Sequence, residues 1–170
     1  NRYLFDGITK NAFISFDPNY RVDLWKNKED VFIRKCHPYI EKSHLCKFSL
    51  EEAQLLSGKD NLDEACQVFH EMGTQIIVIT LGSEGTLLST AKFSKTIPSI
   101  KVNPKDTTGA GDAFIGCLLQ QISQHSKFEN VLADEKLLTN MVARANKAGA
   151  ITTENFGAIE SLPTLQQLDS

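Results

Sequence analysis

The sequence predicts a layered α/β domain, with helices on both faces of a mostly parallel β-sheet. Short apolar runs typical of strands alternate along the chain with amphipathic stretches typical of helices. Residues 75–81 form a continuous, largely β-branched run, which is typical of a parallel strand buried on both faces. The 170 residues, of which 41% are hydrophobic, can bury a core, and no repeat or long linker divides them. We therefore expect residues 1–170 to form a single domain.

Two short strands and a helix begin the predicted order. The apolar run at residues 12–16 indicates a buried strand, because a polar turn with a proline ends it. The apolar spacing over residues 28–42 indicates a helix, although Pro38 disturbs its middle. Residues 45–48 form another short apolar run and are predicted to be the second strand.

Two helices are predicted between the second strand and the β-branched run. Ser49 begins the first of them, because Glu52 lies three residues later and completes a capping box. Gly58 ends this helix. The apolar spacing over Leu62–Met72 predicts a second, amphipathic helix, which Gly73 ends in the same way.

The remaining elements follow the strand predicted at residues 75–81. Residues 86–90 and 93–97 are predicted to form an antiparallel hairpin at the edge of the sheet. Residues 110–124 and 137–151 have the spacing of two long helices. The order of strands and helices is therefore that of an α/β layered domain from end to end.

Composition and charge exclude several classes of protein. The net charge is −3 at neutral pH, so the chain offers no basic face to a nucleic-acid backbone. No apolar run approaches the roughly 20 residues that cross a bilayer, so we expect no membrane partner. The four cysteines lack the spacing of a zinc site, which favours reduced thiols in a cytoplasmic protein. The chain begins without Met, inside a helix-like segment at residues 1–10, and we expect it to be a piece of a longer protein.

The segment that carries chemistry is the turn before the helix at residues 110–124. Over residues 106–114 the sequence is DTTGAGDAF. Gly109 and Gly111 leave room for a ligand at the backbone, and one of them can take a positive φ. The first N–H groups of a helix lack internal partners and the helix dipole is positive there, so the successive N–H groups from Gly109 through Ala110 to Asp112 can hold a phosphoryl oxyanion. No Gly-Lys-Ser/Thr follows, which excludes a Walker loop.

Asp112 falls on the first turn of this helix, beside the predicted anion site. A carboxylate there makes sense if it faces a third group, such as a substrate hydroxyl that attacks the phosphorus. The helix dipole should keep Asp112 ionised and make it a weak base, which suffices if the proton leaves late in the transfer. The alternative is a glycine-rich turn capped by an aspartate, with no ligand.

The segment at residues 106–114 resembles the C-terminal signature of the ribokinase-like (PfkB) family of carbohydrate kinases. Four further regions are similar to that family in the same order: FDPNYR followed by LW at residues 16–25, K-x-S-x-x-E at 47–52, TLGSEG at 80–85, and ANKAGA followed by GAIESLPT at 145–164. Ser49 stands where the family has Asn. The resemblance covers the whole chain but only the C-terminal part of the family's fold. It implies a ribokinase-like three-layer α/β/α core, whose N-terminal portion and sugar lid are missing here.

The resemblance implies ATP-dependent phosphorylation of a sugar hydroxymethyl group, with fructose favoured. It makes Asp112 the catalytic base, with Gly109, Ala110 and Gly111 as the anion hole. It places Thr80, Gly82, Gly85, Asn146 and Ala150 near the nucleotide. Asp17 and Asn19 join this cofactor-binding set, because they lie at a strand's C-terminal end, where α/β sheets gather ligands. It assigns Glu52 to Mg²⁺ and its waters, and Asp106, Thr108 and Ser161 to a monovalent-cation site that takes K⁺.

Each of these assignments has a structural alternative. Glu52 can be only the capping-box acid, and the two roles can coexist. The glycines near Thr80 fit a strand end and turn, and the small residues around Asn146 fit a closely packed helix. Arg21 can pair with a phosphate or a substrate carboxylate, or can be a solvated turn residue.

Several functions therefore remain open at this point. A fructokinase is favoured, and the alternatives are a 2-keto-3-deoxygluconate kinase, another PfkB sugar or nucleoside kinase, and a non-catalytic nucleotide-binding member. The expected ligands are a small-molecule sugar and ATP. We expect the fragment alone to bind nucleotide weakly and to phosphorylate sugar poorly or not at all. We expect the full-length protein to form a homo-oligomer, most simply a dimer.

Overall fold

A computed structural model describes residues 12–169, so the helix predicted at residues 1–10 lies outside the described part of the chain. The described residues contain a five-stranded sheet in which the strands lie side by side in chain order. The strands are β1 (Ser15–Phe16), β2 (Leu45–Ser49), β3 (Ile76–Thr80), β4 (Thr86–Thr90) and β5 (Ser94–Ile97).

The sheet is mixed. β1 pairs with β2 and β2 with β3 in parallel, whereas β3 pairs with β4 and β4 with β5 antiparallel. The predicted edge hairpin is therefore present, and it makes two of the four pairings antiparallel in a sheet predicted to be mostly parallel. The parallel register sets Leu45 opposite Ile76 and Ser49 opposite Thr80, so β2 and β3 end at the same edge.

Helices cover both faces of this sheet. Within the described residues they are α1 (Val22–Trp25), α2 (Glu29–Ile40), α3 (Leu50–Ser57), α4 (Leu62–Met72), α5 (Ala110–Ser123), α6 (Phe128–Ala133), α7 (Glu135–Thr152) and α8 (Leu165–Asp169). Pro38 lies in the last turn of α2, so only the end of that helix lacks a backbone donor. None of the helices within residues 12–169 combines the length and apolar character needed to cross a membrane.

Alternate residues of the central strands enter two separate apolar cores. One core lies between the sheet and α2, α3 and α4, and its strand residues are Cys46, Phe48, Ile77, Ile79 and Leu87. The other lies between the sheet and α5, α6 and α7, and its strand residues are Leu45, Ile76, Val78, Leu88 and Ile97. This arrangement is the predicted three-layer α/β/α core, and it explains why β3 carries no polar alternation.

The predicted helix boundaries rest on the capping residues. The Ser49 hydroxyl accepts a hydrogen bond from the Glu52 N–H at 3.2 Å, while a Glu52 carboxylate oxygen accepts the Ser49 N–H at 2.8 Å. Gly58 and Gly73 follow α3 and α4 in the left-handed conformation. Both capping predictions are confirmed, because each concerns bonds within a few residues of the chain.

Candidate nucleotide and phosphoryl-transfer site

A cavity of about 470 Å³ opens between the ends of β3 and β4 and the first turns of α5. Predicted site residues from three separate regions of the chain line it together: Thr80, Gly82, Gly85, Ala110, Gly111, Asn146 and Ala150. Sequence reasoning did not select several further lining residues, which include Ser83, Thr86, Lys101, Thr107, Phe114 and Gly149. The cavity has the size of a small-molecule site and lies at the edge where β2 and β3 end.

The glycine turn forms one wall of the cavity. Gly109 is the N-cap of α5 and has a φ of +82°, a conformation that disfavours any other residue. A Cβ at this position would lie 2.7 Å from the Cβ of Ala158, so the loop packed behind the turn also requires glycine. The turn therefore presents its backbone, rather than side chains, to the cavity.

The donors of this turn differ in one respect from the sequence prediction. The Ala110 N–H donates to the carbonyl of Thr107 at 3.2 Å. Among the described residues, the N–H groups of Gly109, Gly111 and Asp112 have no acceptor. Three of the four expected donors therefore remain available to an anion, and the fourth shapes the turn.

Two other glycines allow the walls to approach each other. A Cβ on Gly85 would lie 2.1 Å from the carbonyl oxygen of Ile97, so the turn before β4 packs directly on the end of β5. A Cβ on Gly149 would lie 3.0 Å from the carbonyl oxygen of Ala110, which lets α7 approach the start of α5. The shape of the cavity depends on these close contacts.

Asn146 lines the cavity, and the protein bonds both ends of its amide. Its amide oxygen accepts the Thr86 hydroxyl at 2.6 Å, and its amide nitrogen donates to the carbonyls of Ile97 at 2.9 Å and Pro98 at 3.3 Å. These bonds join α7 to β4 and to the end of β5. Asn146 therefore fixes the wall, and it leaves a nucleotide base only the second lone pair of the amide oxygen.

Asp112 lies in the first turn of α5, one residue after the cavity-lining Gly111. Its side chain is exposed, and it does not line the cavity itself. The structure thus sets a solvent-facing acid beside the free N–H groups, where a second molecule could approach from outside the cavity.

Glu52 is buried at the start of α3 and holds two segments together. One carboxylate oxygen accepts the Ser49 N–H of the capping box, and the other accepts the Tyr20 N–H at 2.6 Å. The structural role expected of Glu52 is thus present, and it extends to the loop after β1. A role toward Mg²⁺ would have to use the remaining lone pairs of the same two oxygens.

Asp17 and Asn19 lie on that loop, and neither lines the cavity. Asn19 is exposed, with a φ of +52°. Asp17 instead forms an ion pair with Lys47, whose Nζ lies 2.9 Å from the Asp17 Oδ2. Sequence reasoning gave Lys47 no role beyond its place in the K-x-S-x-x-E segment, although a single charged residue in an apolar strand, near the edge where ligands bind, was a usable signal.

The residues predicted around a monovalent cation lie on two loops that touch. The Asp106 carboxylate accepts the N–H groups of Thr108 at 2.9 Å and of Gly157 at 3.3 Å. These bonds, with those from Thr108 the stronger, hold the pKa of Asp106 below its usual value. The Ser161 hydroxyl is buried and donates to the Phe156 carbonyl at 3.1 Å. All three predicted residues therefore surround the turn, and each has a structural bond.

The cysteines take no part in this site. Burial raises the pKa of Cys36 to about 12 and the pKa values of Cys46 and Cys66 to about 11, so these thiols stay protonated. Burial also raises the pKa of the half-buried Cys117. Within residues 12–169 no three His, Cys, Asp or Glu side chains cluster as metal ligands.

Comparison with known proteins places the chain. Residues 4–165 match the family model described as pfkB family carbohydrate kinase. The chain belongs to this family. Members of the family with curated names include Fructokinase-1 of Zea mays, which is 38% identical over 154 residues, a match that covers 90% of this chain and 46% of the relative. The chain spans about half the length of the curated relatives it matches.

Solved structures agree with this placement. The fructokinase of Vibrio cholerae O395, determined with fructose, ADP and calcium ion bound, has a TM-score of 0.83 at 32% identity, over 92% of this chain and 49% of that one. The aminoimidazole riboside kinase of Salmonella enterica, complexed with aminoimidazole riboside and an ATP analog, has a TM-score of 0.80 at 32% identity, over 92% of this chain and 51% of that one. The ribokinase-like fold predicted for the chain is therefore confirmed.

Proposed function

We propose that this pfkB family chain is the nucleotide-binding and base-carrying part of an ATP-dependent sugar kinase, with fructose as the acceptor. The observation that carries the proposal is the glycine turn, which has free N–H groups beside a cavity of small-molecule size and sets Asp112 next to them. Because the chain spans about half the length of its relatives, the activity belongs to the complete kinase and not to these 170 residues alone.

The nucleotide occupies the cavity in this proposal. Its base lies against the apolar wall that includes Phe114, Gly149 and Ala150, and its phosphates extend toward the start of α5. The N–H groups of Gly109, Gly111 and Asp112 then bind an anionic oxygen of the transferring phosphoryl group. Base recognition does not use the donors of the Asn146 amide, since they are already bonded.

Asp112 acts as the base. The acceptor hydroxymethyl oxygen forms a bond to the γ-phosphorus as the bond from that phosphorus to the β-phosphate oxygen breaks, and ADP leaves. The proton of the attacking hydroxyl passes to the Asp112 carboxylate. A weak base suffices for this step because phosphoryl transfer is loose and the proton moves late.

Mg²⁺ and a monovalent cation are the expected cofactors. Magnesium usually keeps several waters and binds through substrate phosphates with one or two carboxylates, which fits a chain without a three-ligand cluster in its described residues. Glu52 is the carboxylate proposed to orient those waters. When bound, the metal neutralises charge on the nucleotide phosphates. Asp106, Thr108 and Ser161 are proposed to surround a K⁺ ion beside the turn. A cytoplasmic location and a homodimer complete the proposal.

The acceptor is the least determined part. The fructokinases among the relatives favour fructose. The Salmonella kinase is crystallised with a riboside and is as identical to this chain as the Vibrio cholerae fructokinase, which makes a riboside kinase the second candidate. A 2-keto-3-deoxygluconate kinase remains a third, since Arg21 is exposed on the loop after β1 and can meet a carboxylate.

The experiment is an ADP-release assay on the complete kinase with fructose, a riboside and 2-keto-3-deoxygluconate offered in parallel. Asp112→Asn is expected to lower kcat by about 10³-fold and leave ADP binding unchanged, because base catalysis contributes roughly 10²–10⁴-fold. Asp63→Asn, an exposed first-turn aspartate of α4, is the control and should keep full activity. Wild-type rates in the Asp112 variant would remove the base assignment. A complete kinase that binds ADP but phosphorylates none of the three acceptors would support the non-catalytic alternative.

A further inference from the structure

A buried ion pair lies directly behind the glycine turn. The Lys47 Nζ is 2.9 Å from the Asp17 Oδ2, and the two side chains are only 8% and 15% exposed. A Cβ on Gly111 would lie 3.1 Å from the Lys47 Nζ and 3.5 Å from its Cε. The ammonium group therefore lies next to Gly111, which lines the cavity, although Lys47 itself does not line it.

The hydrogen-bonding capacity of this pair is only partly used. The Lys47 ammonium carries three N–H donors, and among the described residues only Asp17 accepts a hydrogen bond from it. On the other side, the Asp17 Oδ1 is buried and has no partner within residues 12–169. Burying a charge without satisfying it is costly, so the unused donors of the Lys47 ammonium indicate a ligand that supplies acceptors.

The position of the ammonium indicates the charge of that ligand. The free N–H groups of Gly109, Gly111 and Asp112 lie at the same turn, and both kinds of donor favour an anion. We propose that Lys47 is a phosphate-binding residue of the transfer site, with Asp17 as the positioning residue that holds its ammonium beneath Gly111. This inference rests on the proposed nucleotide site and adds a cationic donor to its backbone donors.

The glycine at position 111 follows from the same geometry. A methyl group there would lie 3.1 Å from the Lys47 Nζ, so the end of the lysine side chain, which is paired with Asp17, would have to shift. The absence of a side chain at Gly111 thus allows the lysine to approach the turn closely. The pair also explains why Asp17, predicted to bind a cofactor, lies outside the cavity: it acts through Lys47.

The test compares ATP with AMP, because AMP lacks the β- and γ-phosphates that ATP would extend to the turn. Calorimetry on the complete kinase, with ATP and AMP and no added metal, gives the ratio of the two affinities. Lys47→Met is expected to weaken ATP binding about tenfold and to leave AMP binding unchanged, as loss of one charge-assisted bond to phosphate predicts. Lys47→Arg should restore most of the preference for ATP. Lys95→Met removes a lysine that pairs with Glu135 at the surface, and it is the matched control.

The outcomes separate this inference from the proposed function. An unchanged ATP to AMP ratio in Lys47→Met refutes the role of Lys47 and leaves the nucleotide site standing. An equal loss of ATP and AMP affinity shows that the pair is structural, which also refutes it. A complete wild-type kinase that binds neither nucleotide contradicts the nucleotide site, and the inference falls with it.

Discussion

Glu52 offers the sharpest test of how this half of the fold is held together. Its two carboxylate oxygens accept the N–H groups of Ser49 and Tyr20, at 2.8 and 2.6 Å, and the residue is only 5% exposed. Glu52→Gln replaces one oxygen with an amide nitrogen, which cannot accept. One backbone N–H then loses its partner in a buried place and faces another donor.

The magnitude follows from the two bonds. A hydrogen bond to a charged group contributes about 1.5–3 kcal/mol, and an unsatisfied buried donor costs a further 1–3 kcal/mol, so we expect Glu52→Gln to lower the free energy of unfolding by about 3 kcal/mol. For a chain of this length, such a loss lowers Tm by roughly 10 °C. The neighbouring Glu51→Gln should cost less than about 0.5 kcal/mol, because its only bond is to the Ser49 hydroxyl at the surface.

Urea unfolding of the two variants, followed by circular dichroism, measures both values. The slope of the free energy with urea should stay the same, because neither substitution changes the surface exposed on unfolding. Equal stabilities of Glu52→Gln and Glu51→Gln would refute the reasoning. That result would mean that the buried carboxylate does not tie the loop after β1 to α3.

Three further predictions concern the cavity walls. Gly109→Ala should destabilise the chain by roughly 2–3 kcal/mol and abolish nucleotide binding. Gly116→Ala in the same helix, where a Cβ meets nothing, should be neutral or stabilising by up to about 1 kcal/mol. Urea unfolding and ADP calorimetry compare the two variants, and equal losses of stability and binding would contradict the turn geometry. Asn146→Ala should lower the free energy of unfolding by about 2–3 kcal/mol, since the Thr86 hydroxyl and the Ile97 carbonyl lose their partner. Asn140→Ala, on the exposed side of α7, should change the same free energy by less than about 0.5 kcal/mol. Equal effects of the two substitutions would refute the tie between α7 and β4. The lowered pKa of Asp106 means that its stabilising bonds are complete at neutral pH and are lost as the pH falls through that folded-state pKa. The NMR signals of the Thr108 and Gly157 N–H groups that it accepts should therefore shift at that pH in the wild type and not in Asp106→Asn. A midpoint at the usual aspartate pKa would contradict the bonds.

Much of the site could be predicted because its signals are local. The capping box of Ser49 and Glu52 and the left-handed Gly109 turn depend on residues within a few positions of each other, and the structure has both of these features. The prediction for Asn146 was less complete. Its bonds run to residues about 50 and 60 positions away, so no pattern near it in the sequence could show that the amide is bonded within the protein.

The sequence by itself determined the five strands, the order of the longer helices among them, the glycine turn and the placement of an acid one residue beyond it, whereas the short helices α1, α6 and α8 were not predicted. These depend on hydrophobic spacing and on backbone preferences, which are properties of short segments. Only the tertiary structure decided which parts meet. It brought Lys47 under Gly111, paired it with Asp17, and engaged the Ala110 N–H that was expected to be free. Contacts of this kind depend on how β1, β2 and α5 pack at one edge of the sheet, and no single segment encodes that packing.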